Sequence, residues 1–348
     1  MSRQRTNPIL SWAVNDAATG DAPATGPAPV GFCLAAGAGT RLRPLTGQVP
    51  KPLLAPAGRP LVDLACEALD RAGTREIVVN THHGASQLAA HLDGRPGLHV
   101  LHEPELLGTG GALGNAYHLG LLGGGTVLVT SADVLVHPAD LASVAAQLDR
   151  GGEVAIGLVP ARPGLLAVRL DGDATIPDPA GPWAPAGVHA LRAGVLEPVP
   201  PRPASLVDAL LAPLWRRGEV AGVVLEHPWA DAGTPHRFLA AAAGLLAGRW
   251  PYRLPPGQLR RTGPGGAPVF LAEGAAAHPT ALLAGPVVLD KGSRVDAHAV
   301  VTRTVLAPGA SIGDGAHVSG SILGPGATIP PGARVTAALI PGPTERSG

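Results

Sequence analysis

A chain of 348 residues is long enough for about two domains, and its 26 basic and 26 acidic side chains leave it without net charge, which argues against a nucleic-acid-binding protein with its usual basic patch. Two cysteines give no disulfide framework, so a reducing, cytoplasmic setting is expected, and no apolar run reaches the roughly 18 residues of a membrane span. Aromatic residues are scarce, so the core must be built from Leu, Val and Ala. Residues 1–29 are rich in Ala, Pro, Gly, Thr and Asp. They lack the apolar stretch of a signal peptide and read as a flexible leader.

From residue 30 onward short apolar runs alternate with helix-length segments. Strands are predicted at 30–35, 76–80, 98–101, 126–130, 154–160, 165–170 and 220–226, with helices such as 61–72 and 84–92 between the first of them. This order reads as an α/β domain over 30–247, with a doubly wound, mainly parallel sheet. Ligands of such sheets bind beyond the carboxyl ends of the strands. Residues 248–268 are Pro/Gly-rich and polar and read as a linker. An internal repeat of 17 residues follows. Leu289, Leu306 and Leu323 coincide in it, as do Gly292, Gly309 and Gly326, then Val295, Ile312 and Ile329, then Val301, Val318 and Val335. A helix cannot use that spacing with a Gly in every copy. A β-solenoid can, with apolar residues pointing inward and Gly at the corners, so a short β-helix is expected over 269–340, with a tail at 341–348. His298 and His317 read as exposed side chains of this module.

One stretch of the first domain, CLAAGAGTRLRPLTGQVPKPLL (33–54), carries the chemistry. The predicted strand runs into Gly37-Ala38-Gly39-Thr40. The glycines let the backbone turn tightly and present successive N–H groups to a phosphate, and Arg41 and Arg43 add cationic donors. Lys51 is one of only two lysines in the chain. Pro50 and Pro52 stiffen the backbone around it. The spacing is neither G-x-G-x-x-G nor G-x-x-x-x-G-K-[ST].

The stretch LAAGAGTRLRPLTGQVPKPLLAPAGRPLVD resembles the signature of the sugar-1-phosphate nucleotidyltransferases, approximately L-A-G-G-x-G-T-R-L-x-P-L-T followed by P-K-P. The resemblance continues through IVVNTHHGASQLAAHL, EPELLGTGGAL, VLVTSADVLV and WADAGTP, over about residues 30–247. It implies a nucleotide site formed by Leu34, Ala36, Gly37, Gly39, Thr40 and Arg41, with Lys51 on the reacting phosphates. It also implies a Mg²⁺ ion held by Asp133 and Asp231, so that Arg41, Lys51 and Asp133 form the catalytic set. Two carboxylates at strand ends suit a hard cation whose shell phosphate oxygens and water complete, although an aspartate taken alone is more often a loop cap than a ligand. Glu103, Gly108 and Thr109 are expected to face the base. A carboxylate only accepts hydrogen bonds, and guanine offers two adjacent N–H donors, which favours GTP. Gly187 and Val188 are expected at the sugar.

Two departures touch the sugar pocket. The Glu-Lys-Pro lysine of many relatives is absent near residues 174–183, and Pro185-Ala186-Gly187 stands where they carry Asn-Ala-Gly. Such pockets resemble those of muramic-acid-type uridylyltransferases. The tail resembles the left-handed β-helix of hexapeptide-repeat proteins and points toward the mannose-1-phosphate guanylyltransferase branch. The expected activity is transfer of a nucleoside monophosphate from an NTP, GTP favoured, to a sugar 1-phosphate, mannose 1-phosphate favoured. The alternatives are a uridylyl- or thymidylyltransferase for another sugar, and a catalytically weak regulatory homologue. The apolar end of a short β-helix needs cover, so contact with the first domain or a homo-oligomer is expected.

Overall fold

A computed structural model describes residues 28–262 and 266–343. The leader up to residue 27 and the tail from 344 lie outside them. Strand β1 (Val30–Leu34) lies between β2 (Glu76–Thr81) and β4 (Thr126–Ser131), with β3 (Leu98–His102) beyond β2, all in parallel. Leu34 is level with Asn80 on one side and Ser131 on the other, so three strands end along one rim. Helices α1 (Leu61–Arg71), α2 (Ala85–Leu92) and α3 (Gly108–His118) make the crossovers. In α1, Leu61, Leu64, Ala65, Ala68 and Leu69 fall on one stripe and are buried, the spacing of a helix laid on a sheet.

The chain continues through the short β5 (Val134–Leu135), α4 (Pro138–Ala146), β6 (Val154–Pro160), β7 (Val168–Asp171), β8 (Ala174–Pro177) and the long β9 (Trp183–Arg192). Helix α5 (Ala212–Trp215), β10 (Val220–Val224), β11 (Ala230–Asp231) and α6 (Pro235–Leu246) complete this part. Among the described residues these strands form a nine-stranded sheet in the order β3-β2-β1-β4-β9-β6-β10-β8-β7. Only β8 and β9 run against the rest, so the sheet is mainly parallel as expected. One face is covered by α1, α4 and α6, the other by α3 and the segment 206–215. No helix of the described residues is long and apolar enough to cross a membrane.

The 17-residue repeat stacks in register. Leu289, Leu306 and Leu323 are partners in successive parallel strands, as are Val295, Ile312 and Ile329, and Val301, Val318 and Val335. They line the interior together with Ala299, Ala310, Ala316 and Ala327. The corner glycines Gly292, Gly309 and Gly326 all have φ near +70°. Val288, Val305 and Ile322 point the other way, into the core that holds Phe238, Ala241 and Leu245 of α6. The β-helix therefore packs on the sheet domain through this flank, a contact with the first domain of the kind expected.

The segment read as a linker is corrected by the structure. Trp250 and Tyr252 are buried, the indole donating to the Pro228 carbonyl and the phenol to the Val136 carbonyl, each at 2.6 Å. Residues Gly257–Thr262 then form β12, antiparallel to β13 (Ala267–Ala272), the first strand of the β-helix. Two aromatic anchors and a hairpin outweigh a Pro/Gly composition that by itself signals only turns.

Candidate active site

A cleft of about 280 Å³ opens at the rim where β1, β2 and β4 end. Residues 34–37, Lys51, Pro52, Asn80, Leu106, Gly108, Thr109 and residues 131–133 line it. Of the residues expected at the site, Leu34, Ala36, Gly37, Lys51, Gly108, Thr109 and Asp133 belong to this lining. Gly39, Thr40 and Arg41 lie just outside this lining. Gly39 has φ +60° and caps the short turn Thr40–Leu42. A Cβ there would stand 2.9 Å from Lys51 Cβ and 3.0 Å from Thr46 Cγ2, so only glycine lets the three residues meet. Leu42 and Leu45 are buried and anchor the loop, while Arg41 and Arg43 remain exposed.

Lys51 opens the turn Lys51–Leu53, and its ammonium is ion-paired with Asp133 Oδ2. Strands β5 and β11 form an antiparallel ribbon in which Val134 faces Asp231, and the Ala232 N–H donates to the Asp133 carbonyl at 2.8 Å. This ribbon brings together two aspartates far apart in sequence. A Cβ on Gly233 would lie 3.0 Å from Asp231 Oδ1, 3.3 Å from Asp133 Oδ2 and 2.9 Å from Arg41 Nη2, so the three charged groups surround one point. Arg237, in the first turn of α6, donates to Asp231 Oδ2 at 2.6 Å. Two carboxylates thus face Lys51, Arg41 and Arg237, a surplus of cations that suits a polyphosphate.

The donor set also fits a hard divalent ion. Among the described residues no group of three or more His, Cys, Asp and Glu side chains could hold a metal. Mg²⁺ does not need one, because it keeps several waters and takes one or two carboxylates together with substrate phosphates. The thiol at the end of β1 offers no alternative nucleophile. A hydrogen bond with Cys66 and burial push Cys33 well above the ordinary thiol range, which keeps it protonated.

Glu103 is placed differently from the expectation of a base reader. It is completely buried and absent from the cleft wall. Its Oε1 accepts from Asn80 Nδ2 at 2.8 Å and its Oε2 from the Leu107 N–H at 3.2 Å. Asn80 Oδ1 in turn accepts from the Ala35 N–H at 2.7 Å. This chain of bonds ties the ends of β1, β2 and β3 to the start of α3, and so spaces the two walls of the cleft. The sequence reading missed Asn80, although a polar residue ending an apolar strand at the ligand-binding rim is a visible signal. It also missed Arg237.

Around Gly187, expected at the sugar, β6 and β9 lose register, Ile156 facing His189 and Leu158 facing Pro185. The resulting bulge holds Gly187 at φ +74°, where a Cβ would stand 3.7 Å from Ser131 Oγ. Trp229 steadies it by donating to the Ala186 carbonyl at 2.9 Å, and the Arg162 guanidinium lies over the Trp229 ring, 5.7 Å from its centroid. Val188 departs from expectation. Its side chain is fully buried in the sheet core and cannot contact a sugar. His298 and His317 are both exposed on the β-helix, His298 beside Asp314.

A nucleotidyl transferase family model matches residues 30–164. The chain is 35% identical over 241 residues to an N-acetylmuramate alpha-1-phosphate uridylyltransferase of Caulobacter vibrioides, covering 62% of this chain and 96% of that protein. It is 31% identical over 281 residues to a mannose-1-phosphate guanylyltransferase of Mycobacterium tuberculosis, covering 75% of each. A mannose-1-phosphate guanylyltransferase catalytic subunit beta of Drosophila melanogaster is 27% identical over 239 residues, 65% of each chain. With the signature loop, the lysine and the paired aspartates converging on one cleft, these similarities establish the chain as a member of the sugar-1-phosphate nucleotidyltransferase family of enzymes.

Proposed function

We propose that the chain joins the α-phosphate of GTP to mannose 1-phosphate with release of pyrophosphate. The observation that carries the reaction type is the convergence of Lys51, Asp133, Asp231 and Arg41 beside the cleft. The base and the sugar rest on the match to the mycobacterial guanylyltransferase, whose 75% share of this chain exceeds the span of residues 30–247. Glu103, buried against Asn80 and the Leu107 N–H, gives no preference for guanine. A second reading, uridylyl transfer to N-acetylmuramate 1-phosphate, is favoured by the 35% identity with the Caulobacter enzyme.

In this reading the N–H groups of residues 37–40 and the Arg41 guanidinium hold the triphosphate. Asp133 and Asp231 would hold Mg²⁺, which when bound would neutralise phosphate charge. Lys51, kept in place by its flanking prolines and by Asp133, stabilises charge that develops on the α-phosphate in the transition state. Gly187 leaves room for the sugar 1-phosphate, one of whose oxygens attacks the α-phosphorus. The new O–P bond forms as the bond to the bridging oxygen breaks, and pyrophosphate leaves with that electron pair. Catalysis is positioning and electrostatics, with no covalent enzyme intermediate. A matrix of nucleoside triphosphates against sugar 1-phosphates, with Mg²⁺ and read by pyrophosphate release, tests it. The highest kcat/KM is expected for GTP with mannose 1-phosphate. A maximum for UTP with N-acetylmuramate 1-phosphate establishes the second reading instead, and silence across the matrix overturns both in favour of a regulatory homologue.

A further inference from the structure

The far end of the β-helix reaches the loop that carries the phosphate ligands. Gln48 Nε2 donates to the Gly342 carbonyl at 2.9 Å, and Gln48 Oε1 accepts from the Gly342 N–H at 2.9 Å. The side-chain amide thus imitates a neighbouring strand. The fit around it is close. A Cβ on Gly342 would stand 1.9 Å from the Pro325 carbonyl oxygen, and one on Gly324 would meet Leu45 Cδ2 at 3.1 Å. From Gln48 the contacts run without a break into the site. Its N–H donates to the Leu45 carbonyl at 3.0 Å, closing the turn Leu45–Gly47. Within that turn Thr46 donates its hydroxyl to the Gly39 carbonyl at 3.0 Å, and its methyl packs with Lys51 Cβ about Gly39. His83 and Gln87 of the sheet domain hold the Thr46 and Gln48 carbonyls from the other side, at 2.9 and 3.1 Å.

We infer that Gln48 is a positioning residue for the nucleotide, and that the last coil of the β-helix is the rear support of the phosphate-binding loop. Gly342 holds Gln48, Gln48 and Leu45 hold the turn, and the turn sets the places of Gly39 and Lys51. The β-helix thereby takes part in catalysis without lending a side chain to the cleft. This inference rests on the nucleotidyltransferase reading, because only that reading makes the geometry of Gly39 and Lys51 a matter of NTP binding.

Two variants test it, Gln48→Ala in the full chain and a truncation ending at Ile340, which lacks Gly342. Each is expected to lower kcat/KM for the NTP about ten- to thirtyfold, the range that two neutral hydrogen bonds command. KM for the sugar 1-phosphate should stay at the wild-type value, and the unfolding temperature should fall by only the few degrees that two lost hydrogen bonds cost. Combining the two changes should add nothing, because both cut the same path. Hydrogen exchange of the amides of residues 39–51 should speed up in both. Wild-type NTP kinetics with unchanged exchange overturns the inference, and so does an equal loss for both substrates. Exchange needs no turnover. If the wild-type protein releases no pyrophosphate with any pair, the functional reading fails by itself, and the exchange comparison still decides whether the coil supports the loop.

Discussion

Glu103→Gln exchanges one carboxylate oxygen for an amide nitrogen with almost no change of shape. In the wild type the two oxygens accept from two different donors, Asn80 Nδ2 and the Leu107 N–H. A glutamine has one acceptor oxygen, so in either orientation its NH₂ group meets an N–H and one donor is left without a partner. A buried donor in that state costs about 1–3 kcal/mol. Glu103→Ala leaves both donors unpaired, at about 2–6 kcal/mol before any loss of packing. At roughly 2–4 °C per kcal/mol for a domain of this size, glutamine should lower the unfolding temperature by about 2–12 °C and alanine by about 4–24 °C. Asn80 also holds Ala35 at the end of β1, so the loosened network reaches the cleft wall and kcat/KM for every NTP should fall together. Thermal unfolding followed by far-ultraviolet circular dichroism, beside kcat/KM for GTP and UTP, measures both consequences. If Glu103→Gln unfolds at the wild-type temperature but changes the ratio of GTP to UTP use, Glu103 reads the base and the bracing role assigned to it is wrong.

Lys51→Ala should reduce turnover by at least about 100-fold with the fold intact, since the ammonium acts on charge that is largest in the transition state; near-normal single-turnover rates would remove it from the mechanism. Asp133→Asn keeps the shape but not the charge that holds a divalent ion, so the Mg²⁺ dependence of pyrophosphate release should disappear with the activity, and an unchanged Mg²⁺ titration would place the metal elsewhere. His189 is buried in β9 with Nδ1 unpartnered, and burial lowers its pKa to about 4. An unfolded histidine titrates near 6.5, so the unfolded chain takes up the proton first. Stability is therefore full above about pH 6.5 and falls by up to about 1.4 kcal/mol per pH unit as the pH drops toward 4. His189→Leu should flatten the plot of unfolding temperature against pH in that window, and an identical slope in the variant would assign the acid sensitivity to other groups.

Elements with strong local patterns were legible in the sequence. The strands β1, β2, β3, β4 and β6 are apolar runs closed by turns, and the β-helix repeats its interior residues every 17 positions. Strand β9 was missed. Its text, WAPAGVHALR, mixes Pro, Ala and Gly, and it becomes a strand because β4 and β6 pair with it on both sides. Helix α3 was hidden by Gly108, Gly110, Gly111 and Gly114, poor helix formers, which are there for close approach. A Cβ on Gly111 would stand 2.1 Å from the Arg202 carbonyl oxygen. In the site, Lys51 and Asp133 stood out because motif and strand end coincide. Glu103 misled because its surroundings are tertiary. Its partner Asn80 lies 23 residues away, and no local spacing announces that a carboxylate will be turned inward.

The bond between Gln48 and Gly342 joins residues 294 positions apart, and this has a bearing on synthesis. The loop that carries Gln48 is made long before its support. At ~5–20 residues per second the ribosome needs roughly 15–60 s to add the intervening residues, so throughout that interval the nascent sheet domain carries an unsupported loop. The aspartates follow the same schedule, since Asp231 joins Asp133 only when β11 has been made. In the proposed reading, nucleotide would therefore stabilise a chain that carries both Asp231 and Gly342 more than a chain released before they are made.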